Sequence, residues 1–162
     1  MSIKELINEK LEIVINFFPT NLYIYELQGD KTKGKIEFRS EEIIDDYWGS
    51  YITAEYSWET IPFDERDSDG DLINELDIYF SKMMPVQERI QKYIQSSFVQ
   101  YLIGARVKHV KGHPYPINEI HGVWYDDHTE RVINFKFVIL REIFADWKPT
   151  LIQMIESVRF NL

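Results

Sequence analysis

Carboxylate side chains alternate through residues 64–71, just before and after Gly70. Such spacing can gather oxygen ligands around calcium in a helix–loop–helix site. The register fails here: with Gly70 at the sixth loop position, Glu65 takes the first and Leu76 the twelfth, where Asp and a bidentate Glu are needed. The segment is therefore predicted to be a solvated turn followed by a helix, with Asp71 as the cap.

Histidine is the second residue type that could bind a metal. The four histidines lie within 20 residues, at His109, His113, His121 and His128. A hairpin in this region could bring His109 and His121 close to the carboxylate of Asp126, which makes these three residues a candidate ligand or metal site. Their spacing matches no standard zinc signature, and His109 shares its predicted strand face with Ala105 and Val107. A partly buried, hydrogen-bonded imidazole is the competing interpretation, and no cofactor is predicted.

Catalytic groups are difficult to find in this sequence. The adjacent carboxylates Asp45–Asp46 and Asp126–Asp127 would point to opposite faces of a strand, so neither is a natural acid/base pair. The chain has no cysteine, and it contains no glycine-rich phosphate loop, serine elbow or HExxH helix. We therefore predict a protein that is not an enzyme.

Aromatic residues, 15% of the chain, are its remaining chemical feature. Tyr47 and Trp48 lie in an acidic, glycine-flanked turn, and Tyr51 follows it closely. Tyr and Trp are common at binding hot spots because they bury a large surface at little entropic cost. These three residues are the candidate partner-binding surface, with packing in the core or under the loop as the alternative.

Charge restricts the choice of partners. Lys and Arg number 18 against 27 Asp and Glu, and the net charge of −9 repels phosphate backbones and anionic lipids. No nucleic acid and no membrane partner are predicted, while a protein partner is compatible. The first dozen residues are partly acidic and no apolar run approaches the ~20 residues of a membrane span. We expect a cytoplasmic protein.

Hydrophobic periodicity predicts the elements that must position these residues. We expect a single domain over residues 1–162, because the turn-rich stretches 28–34, 62–70 and 112–118 are short. A short helix is predicted in the first ten residues, with a helix continuing to Phe18 as the rival of a strand over 11–18. The other predicted strands cover residues 22–27, 35–39, 51–59, 105–110, 119–125 and 131–141.

Three- and four-residue spacing of apolar side chains predicts the helices. The first covers residues 72–83 and ends near Pro85. The second covers residues 86–101 and is stopped by Gly104, and the third runs from Phe144 to Val158. Strands, helices, strands and a final helix give an α+β class, in which an antiparallel sheet is packed by helices.

Several C-terminal segments also resemble a known superfamily. Residues 104–107, 123–125, 131–135 and 151–160, the last ending in Ser157-Val158-Arg159-Phe160, resemble the PsbP-like superfamily, which includes the photosystem II subunit PsbP and Mog-type Ran-binding proteins. Residues 18–24 and 34–56 resemble its opening strands, without the expected Trp. The resemblance implies an α/β/α sandwich with roles in binding or assembly, and it carries over no catalytic residue.

Composition, motifs and resemblance together favour a non-enzymatic binding domain that recognises a protein partner. Two alternatives remain open. One is a small-ligand or metal-binding protein, with a pocket near His109, His121 and Trp124. The other is an immunity or antitoxin-like protein that neutralises a basic toxin by charge complementarity.

Overall fold

The computed structural model describes residues 3–9, 11–62, 64–66, 68–94, 97–126 and 129–159. Ten strands and two helices follow one another in this part of the chain. In chain order they are β1 (Ile3–Asn8), β2 (Ile13–Pro19), β3 (Leu22–Gly29), β4 (Lys33–Ser40), β5 (Ile52–Thr60), α1 (Asp69–Met83), β6 (Val86–Ile94), β7 (Ser97–Val110), β8 (His113–Asp126), β9 (Arg131–Leu140), α2 (Arg141–Glu156) and β10 (Val158–Arg159).

Seven strands form one antiparallel sheet in the order β3-β4-β5-β9-β8-β7-β6. Alternation decides which face is buried: Ile133, Phe135 and Phe137 of β9 point to the core. Gly122 of β8 lies opposite Phe135, and a Cβ at this glycine would stand 1.9 Å from the Phe135 ring. The missing side chain therefore lets the ring lie across the neighbouring strand.

The core face of this sheet is covered by a second layer. A small sheet, β1-β2-β10, contributes Ile13 and Ile15, and α2 contributes Leu151, Met154 and Ile155. Each fully buried aliphatic side chain stabilises the fold by roughly 1.5–3 kcal/mol. The hydrophobic stripe of α2 thus lies across the sheet, as its spacing predicts.

The outer face is packed by α1, which lies over β7 and β8. Phe80 and Met84 cover Leu102 there. The helix begins after Ser68, whose Oγ accepts a hydrogen bond from the backbone N–H of Asp71 at 3.1 Å. Ser68 is therefore the cap, and the prediction that Asp71 fills this role is wrong.

The second predicted helix, over residues 86–101, does not exist. This segment forms the antiparallel pair β6 and β7, with Ile90 opposite Tyr101. Burial alternates between intermediate and exposed along residues 86–93, which is the period of a strand. Glu88 and Lys92 occupy the inward-leaning positions beside Ile90, so their charges conceal the alternation in the sequence.

Two further predictions are corrected at β1 and β8. The first residues form a strand paired with β2 instead of a short helix, since pairing satisfies backbone groups that six helical residues would leave open. Residues 113–118 belong to β8 and not to a loop. The β7–β8 turn consists of Lys111 and Gly112, whose φ values of 50° and 82° suit a two-residue hairpin turn.

The predicted class is confirmed: an antiparallel sheet is packed by helices in an α+β arrangement. Asp127 and His128, two of the residues considered as candidate catalytic or metal-binding groups, lie outside the described residues. Within the described chain, neither helix has the length and apolar character needed to cross a membrane.

Candidate functional site

The predicted aromatic surface is divided by the fold into separate positions. Asp45 organises the turn that follows β4: its Oδ1 accepts hydrogen bonds from the backbone N–H groups of Tyr47 and Trp48, both at 2.9 Å. Its Oδ2 accepts a hydrogen bond from the hydroxyl of Tyr115 at 2.6 Å. The bond from Tyr115 lowers the pKa of Asp45, and the same bond raises the pKa of Tyr115 to about 12. The turn is therefore tied to β8.

Trp48 contributes to this attachment. Its ring centroid lies 5.0 Å from that of Tyr115, and its indole N–H donates to the carbonyl of Ser50 at 3.1 Å. It packs in a small apolar cluster with Tyr115, Ile117 and Leu140. For Trp48 the packing alternative describes the structure better than an exposed binding residue does.

Tyr47 is the exposed member of the turn, with 47% of its surface accessible. Its ring stacks on His113 at a centroid distance of 4.5 Å, and Lys111 lies 5.6 Å from the ring centroid. Lys108 lies in the same way over Trp48, at 5.9 Å. The turn thus presents Tyr47 beside Lys111 and His113 as well as beside Asp45, so its setting is not acidic alone.

Tyr51 packs against the same small cluster as Trp48 and against the main core, and it also lines a cleft of about 490 Å³ beside the start of α2. We call it the acidic cleft because Glu41, Glu42 and Glu142 line it. Tyr51, Ile143 and Trp147 line it as well. Its two sides come from segments about one hundred residues apart, residues 41–52 and the first two turns of α2. The cleft exists because α2 packs across the end of the sheet.

In the part of the chain that the structure describes, the three carboxylates of the acidic cleft form no ion pair. Glu41, Glu42 and Glu142 are all exposed, and none forms an ion pair with any residue that the structure describes. Like charges placed together without a counterion create a negative potential in a concave surface. The cleft is therefore suited to a cation.

Aromatic rings give the acidic cleft a second property. Tyr51 and Trp147 are both partly buried, and both pack against the main core. Rings fixed in this way cost little entropy on binding, and their faces attract ammonium and guanidinium groups. Carboxylates and rings together match the side chain of Lys or Arg, whose stem is apolar and whose end is charged.

The candidate metal residues are not brought together. His121 is opposite Leu102 in the β7–β8 pairing, whereas His109 is opposite Pro114, so seven residues, roughly 23 Å, separate the two positions along the strands. Asp126 pairs with Arg131 at the end of β8. His109 is exposed and not partly buried as predicted. Among the described residues, no group of three or more His, Asp or Glu side chains could hold a metal ion.

His121 instead belongs to a buried ionic cluster that sequence reasoning did not anticipate. Glu119, fully buried, lies 2.6 Å from Arg106 Nε, 3.0 Å from His121 Nε2 and 4.0 Å from Lys136 Nζ. Burial alone raises the pKa of Glu119, but the hydrogen bond with His121 and the nearby positive charges lower it further than burial raises it. The His121 ring also meets Phe80 of α1 edge-on, at 5.1 Å. The contact between His121 and Phe80 joins this cluster to α1. The carboxylate of Glu119 is already bonded to Arg106 and His121, so it is poorly placed to act as an acid or a base.

Comparisons with known proteins agree with this fold. No protein-family model matches the sequence, and no curated protein matches it. Solved structures do: PsbP (CyanoP) from Synechocystis sp. PCC 6803 matches with a TM-score of 0.62 over 98% of this chain and 92% of that one, at 11% identity. The Saccharomyces cerevisiae Ran-binding protein Mog1p matches with a TM-score of 0.57 over 99% and 96%, also at 11% identity. A mutant of protein Mog1 matches with a TM-score of 0.56 at the same identity.

This chain thus has the fold of PsbP and Mog1, as the resemblance in its C-terminal segments implies. At 11% identity the likeness concerns the fold, and function has to be argued from the site.

Proposed function

We propose that this chain is a non-enzymatic protein-binding domain whose acidic cleft receives a basic segment of its partner. The observation that carries the proposal is a concave site in which three carboxylates without ion-pair partners in the described chain surround two partly buried rings. One structural neighbour is named as a Ran-binding protein, which makes a protein partner a natural choice for this fold. Tyr51 keeps its predicted role here, and Trp147 joins it.

Two features of the site argue against an enzyme. Glu119 is bonded to both His121 and Arg106, and the ring of His121 packs against Phe80 of α1. The hydroxyl of Ser40, which lines the acidic cleft, is bonded to the backbone: it donates to the carbonyl of Glu42 and accepts from the N–H of Ile52. Charge and ring surface favour recognition over reaction.

The test begins with selection of binding peptides from a random display library, followed by affinity measurement with labelled copies. Selected peptides should be enriched in Lys and Arg. The triple variant Glu41→Gln, Glu42→Gln, Glu142→Gln should bind them about tenfold more weakly, since each exposed charge pair is worth about 0.5 kcal/mol. Trp147→Ala should weaken binding by a comparable factor through loss of the ring.

A matched control is provided by Glu5, Glu9 and Glu75, which are also exposed and lie outside the cleft. Their change to Gln alters the net charge equally and should leave affinity within a factor of two. Selected peptides without basic residues, or equal weakening by both triple variants, would contradict the proposal.

A further inference from the structure

Strand β3 forms one edge of the seven-stranded sheet, and within the described residues β4 is its only neighbour. An edge strand of this kind presents a row of N–H and C=O groups that are not hydrogen-bonded to the sheet. With eight residues, β3 offers about 26 Å of such backbone.

The side chains in the first half of β3 do not protect this edge. Proteins guard an exposed edge with charged residues, especially Lys, with Pro, with a very short strand or with a β-bulge. β3 contains neither Lys nor Pro, and its consecutive residues Tyr23, Ile24 and Tyr25 are 40%, 41% and 51% exposed. A β-bulge between Ile24 and Glu26 interrupts the pairing with β4, and the guanidinium of Arg39 holds the ring of Tyr25, 3.4 Å from its centroid. The bulge and the charge of Glu26 therefore guard the second half of β3, and the first half is the part open to pairing.

The edge leads directly into the acidic cleft. Asn21, which lines the cleft, immediately precedes β3, and Ser40, opposite Leu22 in the β3–β4 pairing, lines it as well. The hydrogen bond from the N–H of Glu41 to the carbonyl of Asn21 joins the two segments at this point, at 3.3 Å. A chain that lies along β3 therefore ends beside Asn21, at the rim of the acidic cleft.

We propose that the partner binds as an extended segment that adds a strand to the free edge of β3 and places a Lys or Arg side chain in the acidic cleft. The main-chain hydrogen bonds of such an addition give affinity, and alternate side chains give specificity. Apolar residues on one face of the segment pack beside Ile24, which shares its strand face with Leu22. This inference rests on the proposed function, because it assigns the basic segment of that proposal a conformation and a direction.

Charge favours a basic segment over a second copy of the chain as the occupant of the β3 edge. Two copies joined edge to edge would bring together two molecules of net charge −9 and place two sets of cleft carboxylates near one interface. A basic segment lowers this repulsion, whereas a second copy increases it. Pairing of β3 with itself is therefore an alternative outcome of the experiment and not the proposal.

The probe is a seven-residue peptide of alternating Val and Lys, acetylated and amidated at its ends. A second peptide has the same sequence with every second amide nitrogen methylated, which removes backbone donors but keeps charge and side chains. The first peptide should bind at least tenfold more tightly than the second. It should also slow amide hydrogen exchange in β3, while β6, the opposite edge, serves as the internal control.

The outcomes separate this inference from the proposed function. Equal affinities with unchanged exchange in β3 would overturn strand addition alone, provided that the change of Glu41, Glu42 and Glu142 to Gln still weakens binding. Slowed exchange in β3 with no effect of those substitutions would overturn the cleft as the anchor, and with it the form of addition proposed here.

Absence of binding by either peptide would overturn both strand addition and the proposed function of the acidic cleft. Protection of β3 without peptide, together with a doubled mass in sedimentation, would show that a second copy occupies the edge.

Discussion

The two edge strands of the seven-stranded sheet differ in how they are attached to the rest of the fold. β6, at one edge, carries charged residues that are bound to both helices: Glu88 and Lys92 form ion pairs with Lys148 and Glu156 of α2, and Arg89 pairs with Asp77 of α1. These side chains extend from opposite faces of the same strand. β6 is thus attached on its inner and outer sides.

β3, at the other edge, forms no ion pair with a helix in the part of the chain that the structure describes; its ion pair joins Glu26 to Lys35 of β4. Leu22 is buried in the main core and Leu27 packs against it, whereas residues 23–25 are exposed. An exposed edge of this kind can pair with another chain. The difference supports the proposal, in which β6 serves the stability of the fold and β3 with the acidic cleft receives a partner.

The comparison is tested most strongly by shortening one isoleucine in each edge. Ile90 of β6 packs against the main core, so Ile90→Ala should lower the free energy of unfolding by about 2 kcal/mol. Ile24 of β3 is 41% exposed, and Ile24→Ala should change the free energy of unfolding by no more than about 0.5 kcal/mol. Urea denaturation of the two variants measures both values. Equal destabilisation would mean that β3 is covered as well as β6, and the contrast would be lost.

Sequence reasoning succeeded where one face of an element is apolar and the other polar. β5 and β9 alternate cleanly, α1 and α2 repeat every three to four residues, and these four elements were placed within a few residues. The prediction was wrong at β6, because Glu88 and Lys92 lie on the inner face with Ile90. They form ion pairs with residues of α2 about sixty residues away in the sequence. The local pattern then looks helical, since only the tertiary contact explains why charged residues occupy those positions.

The site was predictable only in part for a related reason. Tyr51 was chosen for its residue type, but nothing near it in the sequence indicates that Trp147 and Glu142 lie across the same cleft. Trp48 was chosen on the same grounds, yet it is held by Tyr115, which lies in a segment that was predicted to be a loop. Residue type identified candidates, and the packing of α2 and β8 decided which of them face solvent.

A smaller effect concerns the attachment of β6 to α1. The hydrogen bond from Arg89 lowers the pKa of Asp77 below its ordinary value, so the carboxylate contributes stability above that ordinary pKa and loses it as the pH falls through its folded pKa. Arg89→Gln should cost at most about 1 kcal/mol at neutral pH and should flatten the fall in stability below about pH 4. Hydrogen exchange in acid should rise in β6 of the wild type and stay unchanged in β3.

Arg39→Gln serves as the control for that measurement, because the ion pair of Arg39 is with Glu37 on the same strand, β4, and its ring contact is with Tyr25 of β3. If both substitutions change the acid dependence equally, the effect belongs to the overall charge and not to the attachment of β6.

The smallest expected effect is that of the ion pair between Glu88 and Lys148, which joins β6 to α2 at 2.5 Å with both side chains at least one third exposed. Exposed pairs of this kind contribute about 0.5 kcal/mol, because water screens the charges and ordering two long side chains costs entropy. A double-mutant cycle with Glu88→Gln and Lys148→Gln should give that coupling energy at low salt and less at high salt. On β3 the pair Lys35–Glu26, at 3.7 Å, gives the matched cycle within the open edge. A larger coupling energy there than on β6 would mean that the open edge is the better secured of the two, and strand addition would then have to compete with an existing contact.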